Sequence, residues 1–157
     1  MSSIQMRMEK LGLELTAGAT VPAMSCPYKI IDNILYIGEV SSLDGHSEAP
    51  RGRVGAELDT QSACCEAYAA GQRLAALAMA ACGSSHIAKV LRVRVIINCA
   101  KDYSSLNVVA DAVSNALTDC FGSAGRHSRT VIGASVLQND APVICCAEME
   151  LGGNNVR

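Results

Sequence analysis

The longest helical pattern in the chain lies between residues 60 and 82. This stretch is rich in Ala and other strong helix formers, and apolar residues recur there at i, i+3 and i+4 spacing. Asp59 or Thr60 can cap the start of the predicted helix, and Gly83 can end it. Gly71 inside it costs about 1 kcal/mol of helix propensity, which indicates a close contact between helix and sheet. The apolar positions are Ala67, Ala70, Leu74, Leu77, Ala78 and Ala81.

A second helix is predicted to begin after a cap at Ser104 or Ser105 and to run to about Phe121. Its apolar residues form a wide stripe. Gly122 and Gly125 end it, since glycine readily adopts the backbone conformations found just beyond a helix.

Strands are predicted on either side of these helices. Two β-branched or aromatic runs flank Asp32 and Asn33 within residues 28–38, which indicates a β-hairpin. Residues 88–98 alternate in the manner of a strand. Two more strands are predicted at 130–137 and 143–151. On the 88–98 strand one face is predicted to carry Leu91, Val93, Val95 and Ile97, and the other Arg92, Arg94, Ile96 and Asn98.

The resulting order is β-β-α-β-α-β-β, which predicts an α+β domain with one mixed sheet and two helices on one face. The other sheet face then has no helix to cover it, and a second copy of the chain is the expected cover. We interpret residues 1–157 as a single domain. Its core spans about 24–151, preceded by an N-terminal extension at 1–23 and followed by a tail at 152–157.

Composition narrows the class of protein. Of the 157 residues 50% are hydrophobic, 3% are aromatic and 18% are charged, with a net charge of -2. Disordered chains lack so many aliphatic residues. Nucleic-acid binding is disfavoured, because basic patches and aromatic stacking platforms do not stand out. No stretch approaches the roughly 20 apolar residues of a membrane span. The apolar excess favours an oligomer interface.

The eight cysteines favour reduced, structural thiols. No Cys-x-x-Cys occurs, and residues 1–23 carry charges where a secretory leader would be apolar, so a cytoplasmic location is predicted. Cys145 and Cys146 alternate along the last strand, which places one toward the helices and the other toward the opposite face. Cys82 and His86 are a weak metal-site pattern, and we predict no metal. Gly-rich phosphate loops are absent and no cofactor is expected.

Residues 126–129 (Arg-His-Ser-Arg) are the main candidate for chemistry. Two guanidinium groups and an imidazole cluster in a glycine-flanked turn, and an arginine fork binds carboxylate or phosphate bidentately. The alternative is a solvated basic turn near a helix C-terminus, where cations are favoured in any case. The spacing of the residues leaves both interpretations open.

A family resemblance extends over most of the chain. The segment 121–137, followed by Ala-Pro-Val at 141–143, resembles the RidA family, also called YjgF or liver perchloric-acid-soluble protein. Segments 8–13, 33–38 and 53–58 are similar as well. The resemblance implies a chorismate-mutase-like fold and homotrimers with clefts between subunits. Some members carry the label endoribonuclease.

The resemblance also implies an activity and a site. Family members hydrolyse reactive enamines and imines to 2-keto acids and ammonia. The arginine that clamps the substrate carboxylate corresponds to Arg129. Assisting backbone N–H groups correspond to Gly38 and Val131, and a substrate-binding tyrosine corresponds to Tyr28.

Departures from the family pattern keep more than one function open. The family's water-activating Glu corresponds to Ile144, and Glu148 lies about 13 Å further along the strand at ~3.3 Å per residue. Glu39 follows Gly38 and would repel an anionic substrate if it faced the cleft. We therefore expect a weak imine or enamine deaminase. The alternatives are a non-catalytic protein that binds small carboxylates and, with least support, an endoribonuclease that uses His127.

Overall fold

The computed structural model describes residues 3–10, 12, 25–44, 48–82 and 86–153. Three helices and five strands lie in this part of the chain. The helices are α1 (Ser3–Lys10), α2 (Thr60–Cys82) and α3 (Leu106–Phe121), and the strands are β1 (Tyr28–Ile31), β2 (Ile34–Ser41), β3 (His86–Asn98), β4 (Ser128–Ala134) and β5 (Val143–Gly152). From β1 onward the order of elements is the one predicted, which confirms the α+β class.

The five strands form one mixed sheet in the order β1-β2-β5-β3-β4. Only β3 and β4 pair in parallel, and α3 is the crossover that connects them; the other neighbours are antiparallel. Both α2 and α3 pack on the same face of the sheet. The edges are β1 and β4, so the two ends of the sheet are far apart.

The core lies between this sheet face and the two helices. Small residues on α2, including Ala67, Ala70 and Ala78, are fully buried and let the helix approach closely. Fully burying an aliphatic side chain contributes roughly 1.5–3 kcal/mol. The largest fully buried side chains are Leu35, Leu74, Ile87, Ile97, Leu117, Met149, Val54, Val93, Val95, Val109, Val113 and Val143.

Gly71 marks the closest helix contact, but its neighbour is not the one predicted. A Cβ at this position would lie 2.8 Å from Ala116 Cβ and 2.9 Å from the carbonyl oxygen of Val113. Both belong to α3. The prediction of a helix–sheet contact was therefore wrong, because it is the two helices that approach closely at this glycine.

Three other predictions need correction. Helix α1 lies in the segment read only as an extension, and it packs against α3. Strand β4 ends at Ala134 rather than at residue 137, since residues 138–140 form a 3-10 turn in which Asn139 and Asp140 have positive φ. Leu91 is 38% exposed. A register shift between Val90 and Arg92 breaks the alternation on which the prediction for Leu91 depended.

The two long helices begin differently. Asp59 caps α2, because its Oδ1 accepts a hydrogen bond of 2.7 Å from the backbone N–H of Ser62. Ser105 occupies the same position before α3, yet its side chain makes no capping hydrogen bond. Gly122 follows α3 with φ of 63°, as the predicted helix end requires. Gly83 lies outside the described residues.

The opposite sheet face is open and mixed, since exposed apolar side chains lie there beside the ion pairs that Glu148 forms with Arg92 and Arg94. Tyr36 is 42% exposed and Ile132 is 44% exposed, and Cys146 and Ile96 lie between them on that face. Cys145 is buried on the helix side, so the predicted alternation of the two cysteines is confirmed. All eight cysteines are free thiols. Among the described residues no helix is long and apolar enough to span a membrane.

We expect Gly71→Ala to destabilise the protein although alanine is the better helix former. The added Cβ must push Ala116 or the α3 backbone away, and overpacking of this kind costs typically 1–3 kcal/mol, which exceeds the gain in propensity of about 1 kcal/mol. Urea unfolding should show a lower midpoint. The control is Cys65→Ala on the exposed side of the same helix, which should leave the midpoint unchanged; a stabilised Gly71→Ala protein would contradict the prediction.

We expect Asp59→Ala to lower the Tm by a few degrees, since it removes the hydrogen bond to Ser62 and leaves a backbone donor without its cap. Ser105→Ala is the matched control and should leave the Tm unchanged, because that hydroxyl caps nothing. The hydrogen bond lowers the pKa of Asp59, so its contribution should fade as the pH falls through that pKa. Equal Tm values for the two variants would refute the assignment.

Candidate functional site

Arg129 lies at the wall of a groove between α3 and the edge strand β4, which we call the α3–β4 groove. Its strand neighbour is Val93, so it faces the helix side of the sheet. Its Nη1 donates to Asp111 Oδ1 at 2.8 Å and to Ser114 Oγ at 3.0 Å. The groove measures about 790 Å³ and is lined by Ser104, Leu106, Asn107, Ser114, Thr118, Arg126, His127, Arg129 and Val131.

One edge of the Arg129 guanidinium is more open than the other. Nη2 has only a long contact of 3.5 Å with Asn107 Oδ1. The Asp111 carboxylate is 63% exposed whereas the Arg129 side chain is 21% exposed, and solvent at the carboxylate keeps the contribution of such a pair near the value of about 0–1 kcal/mol for surface ion pairs. A ligand carboxylate can therefore compete for this guanidinium at little cost.

His127 adjoins Arg129 in the same groove. Its Nδ1 lies 2.6 Å from the carbonyl oxygen of Gly125, and its Nε2 lies 3.0 Å from Ser114 Oγ. Burial lowers the pKa of His127, and the charge of Arg129 lowers it further, while the hydrogen bond to Gly125 opposes both. The imidazole is therefore neutral at pH 7.

The polar partners on α3 were missed by sequence reasoning, which noted only the apolar stripe of this helix. Asn107, Asp111, Ser114 and Thr118 recur at spacings of four, three and four residues. Such spacing places side chains on one helix face. A polar stripe beside the apolar one was thus the signal that could have found this wall of the groove.

The other predicted site residues divide between two places. Val131 lies two residues after Arg129 on β4 and lines the same groove. Tyr28 and Gly38 line a second pocket of about 460 Å³ on the β1–β2 side, which we call the sheet-face pocket. The Gly38 N–H donates to the carbonyl of Pro27 at 2.9 Å, so this donor is engaged within the chain.

The two places are well separated in one copy of the chain. In the sheet order, β5 and β3 lie between β2 and β4. Three strand spacings of about 4.8 Å separate β2, which carries Gly38, from β4, which carries Arg129, by roughly 14 Å. Arg129 also faces the helix side, whereas Ile144 faces the other side with Ile96. A single chain does not bring all the predicted residues together.

Neither the Ile144 position nor Glu148 supplies a free carboxylate on β5. Ile144 is 7% exposed and lines the sheet-face pocket. Glu148 accepts hydrogen bonds from Arg92 at 2.6 Å and Arg94 at 3.2 Å, and the contact with Arg92 is the main cause that lowers its pKa. Glu39 lines the sheet-face pocket and not the groove that holds Arg129.

The described residues contain no group of three or more His, Cys, Asp or Glu that could hold a metal ion. Cys82, half of the weak metal-site pattern, is buried at the end of α2, where its thiol donates to the carbonyl of Ala78 at 2.9 Å. The α3–β4 groove presents a guanidinium that can bind an anion, beside an imidazole and a hydroxyl.

The fold is shared with solved structures of known proteins. A Shewanella oneidensis protein assigned as a candidate endoribonuclease is similar with a TM-score of 0.87 and 23% identity, over 95% of this chain and 99% of that one. RidA from an Antarctic Psychrobacter is similar with a TM-score of 0.60 and 15% identity, over 88% and 96%. Escherichia coli TdcF, solved with bound serine, is similar with 0.57 and 16%, over 85% and 91%.

These similarities rest on three-dimensional structure. No protein-family model matches the chain, and no curated protein matches it either. The resemblance that the sequence carries at residues 121–137 is nevertheless confirmed at the level of the fold, and the chain has the fold of the RidA family.

Proposed function

We propose that this protein binds small 2-keto and 2-imino carboxylates through Arg129 and hydrolyses the imines to 2-keto acids and ammonia. The observation that carries the proposal is the placement of Arg129, at the wall of an open groove with its Nη1 edge anchored by α3 and its Nη2 edge only loosely engaged. An anchored guanidinium is pre-organised to bind a carboxylate bidentately.

The reaction needs little catalytic assistance from the protein, because an imine next to a carboxylate is already electrophilic. Water adds to the imine carbon and the C–N bond then breaks, so that ammonia leaves and the oxygen of water remains as the keto group. Arg129 holds the carboxylate throughout. Asn107 and Ser114 provide an amide and a hydroxyl within reach of the bound ligand.

A second copy of the chain would complete the site. Tyr28 and Gly38 lie at the opposite end of the sheet from Arg129, so they reach a ligand on Arg129 only from another subunit. The exposed side chains of Tyr36 and Ile132 on the helix-free sheet face supply apolar surface for that contact. We therefore propose the homotrimer with clefts between subunits that the family resemblance implies.

The ligand found in a relative agrees with this chemistry. E. coli TdcF was solved with serine bound, and serine is a small molecule that carries both a carboxylate and a nitrogen on the adjacent carbon. A 2-imino acid has the same two groups. The similarity to TdcF supports this ligand class for the present chain.

Ile144 favours a second candidate function. A side chain without an ionisable group stands where the family's Glu would be, and Glu148 is held by two arginines. A protein with these residues can bind a 2-keto acid without turning over its imine. The endoribonuclease reading has less support, since a net charge of -2 and 3% aromatic residues give RNA little to bind.

Replacement of Arg129 tests the ligand class. We expect calorimetry to detect pyruvate or 2-oxobutanoate binding to the wild-type protein and roughly 10- to 100-fold weaker binding to Arg129→Ala, because a hydrogen bond to a charged group is worth about 1.5–3 kcal/mol. Arg129→Lys keeps the charge without the fork and should be intermediate.

The control for this experiment is Arg51→Ala, which removes an exposed arginine whose Nη1 donates to the backbone of Asn139, away from the groove. Its pyruvate affinity should equal that of the wild type. Release of ammonia from 2-iminopropanoate generated in situ then separates the two candidate functions. Acceleration over buffer identifies a deaminase, binding without acceleration identifies the binding protein, and absence of both refutes the proposal.

Replacement of Ile132 tests the assembly. We expect the wild-type protein to sediment as three copies of the 16.4 kDa chain, and Ile132→Glu to sediment as a monomer with reduced pyruvate affinity, because the substitution puts a charge on the helix-free sheet face. Cys65→Glu on the exposed side of α2 is the control and should leave the mass unchanged. A wild-type monomer that binds pyruvate fully would contradict the need for a second copy.

A further inference from the structure

The α3–β4 groove holds a directed chain of hydrogen bonds that carboxylate binding does not use. Nδ1 of His127 faces a carbonyl oxygen, which can only accept, so Nδ1 carries the proton. In the neutral imidazole Nε2 is then an acceptor, and the hydroxyl of Ser114 donates to it. Ser114 Oγ in turn accepts from Nη1 of Arg129.

The backbone fixes each member of this chain. Ser114 lies in the middle of α3, which is regular from Leu106 to Phe121. The Gly125 carbonyl that orients His127 sits in a 3-10 turn pressed against α3, where a Cβ would clash with the carbonyl oxygen of Leu117. A hydroxyl, a base and a group that orients the base are thus held in fixed relation, as in sites where a side chain accepts a proton during reaction.

Burial and the positive charges around His127 together keep its Nε2 unprotonated. Arg129 faces it from β4, and Arg126 lies in the turn just before it. The nearby carboxylate from α3, that of Asp111, is bonded to Arg129 rather than to the imidazole. Among the residues that line the groove, His127 is the one whose ordinary pKa of about 6.5 lies near neutrality. Partial burial keeps the ring neutral.

We propose that Ser114 and His127 form the proton-transfer pair of this site, with Ser114 binding the attacking water and His127 taking the proton. The inference rests on the proposed function. Water bonded to Ser114 Oγ adds to the imine carbon of a substrate held by Arg129, and its proton passes through the hydroxyl to Nε2.

The same path returns the proton to the nitrogen, which gives a carbinolamine. The hydroxyl proton of the carbinolamine then passes through the same pair to the nitrogen, the C–N bond breaks and ammonia leaves. Water supplies the oxygen of the keto acid, and the imidazole ends in its starting form. The hydrolysis consumes only the imine and water, and it needs no oxidant, metal or further reactant. The pair therefore gives the groove a proton acceptor of its own, independent of the β5 position that Ile144 occupies.

His127→Gln tests the pair, with His86→Gln as the matched control, since His86 is exposed at the start of β3. Loss of a general base typically costs about 10²–10⁴-fold in rate. We expect His127→Gln to lose turnover of 2-iminopropanoate by this factor in kcat, with KM and pyruvate affinity within about twofold of the wild type. His86→Gln should match the wild type in all three.

The pH profile gives a readout that a purely structural role would not change. We expect the enzymatic rate, after subtraction of the buffer reaction, to rise with pH as His127 loses its proton, with a midpoint below 6.5. This limb should be absent from His127→Gln. Ser114→Ala should keep the limb and lower its plateau. The ring 15N shifts of the wild-type protein should show Nδ1–H and an unprotonated Nε2 that accepts a hydrogen bond.

The binding and rate measurements distinguish a failure of the Ser114–His127 pair from a failure of the proposed function. If wild-type protein binds pyruvate and hydrolyses the imine but His127→Gln does so equally well, the pair is refuted and the proposed function stands. Binding without any hydrolysis refutes the pair and leaves the binding protein. Absence of pyruvate binding refutes both. A ring that proves to carry its proton on Nε2 overturns the pair whatever the rates.

Discussion

The close packing of the turn at Gly122–Gly125 against the end of α3 is the constraint on which the site depends. Gly125 has room for no side chain beside the backbone of Leu117, and β4 begins three residues after it, at Ser128. Because β4 pairs in parallel with β3, its register places Arg129 beside Val93 and toward α3. A slip of one residue would turn Arg129 to the opposite sheet face. The position of one guanidinium thus follows from one helix end.

The sheet order has a consequence for function that no single strand reveals. Crossover through α3 puts β4 at one edge, while the N-terminal hairpin occupies the other. The residues proposed to surround one ligand then lie at both ends of a sheet whose helix-free face exposes apolar side chains. The composition is consistent with this arrangement, since half of the residues are hydrophobic and a single copy leaves Tyr36 and Ile132 exposed. Under this proposal, the complete ligand site forms only when subunits assemble.

Periodicity sufficed to predict α2, whose bounds match residues 60–82, and most of β3 and β5, because these elements bury one regular face. It failed where tertiary contacts decide the outcome. The bulge that exposes Leu91 and the turn that shortens β4 have no local signature in the apolar pattern, and Gly71 could signal a close contact but not its partner. In the groove, Arg129 and His127 were found as a cluster in sequence, whereas Ser114 and Asp111 come from a different element and needed the fold to bring them near.

Arg129 has two roles that reinforce each other if the site binds as proposed. In the empty groove burial lowers the pKa of His127, and the charge of Arg129 lowers it further, so the imidazole is deprotonated. A bound carboxylate neutralises much of that charge and so weakens one of the two causes that lower the pKa of His127, while burial, the larger cause, remains. The imidazole therefore accepts a proton more readily once the substrate anion is in place. Its strength as a base is coupled to binding, because the Arg129 guanidinium faces both the imidazole and the bound carboxylate.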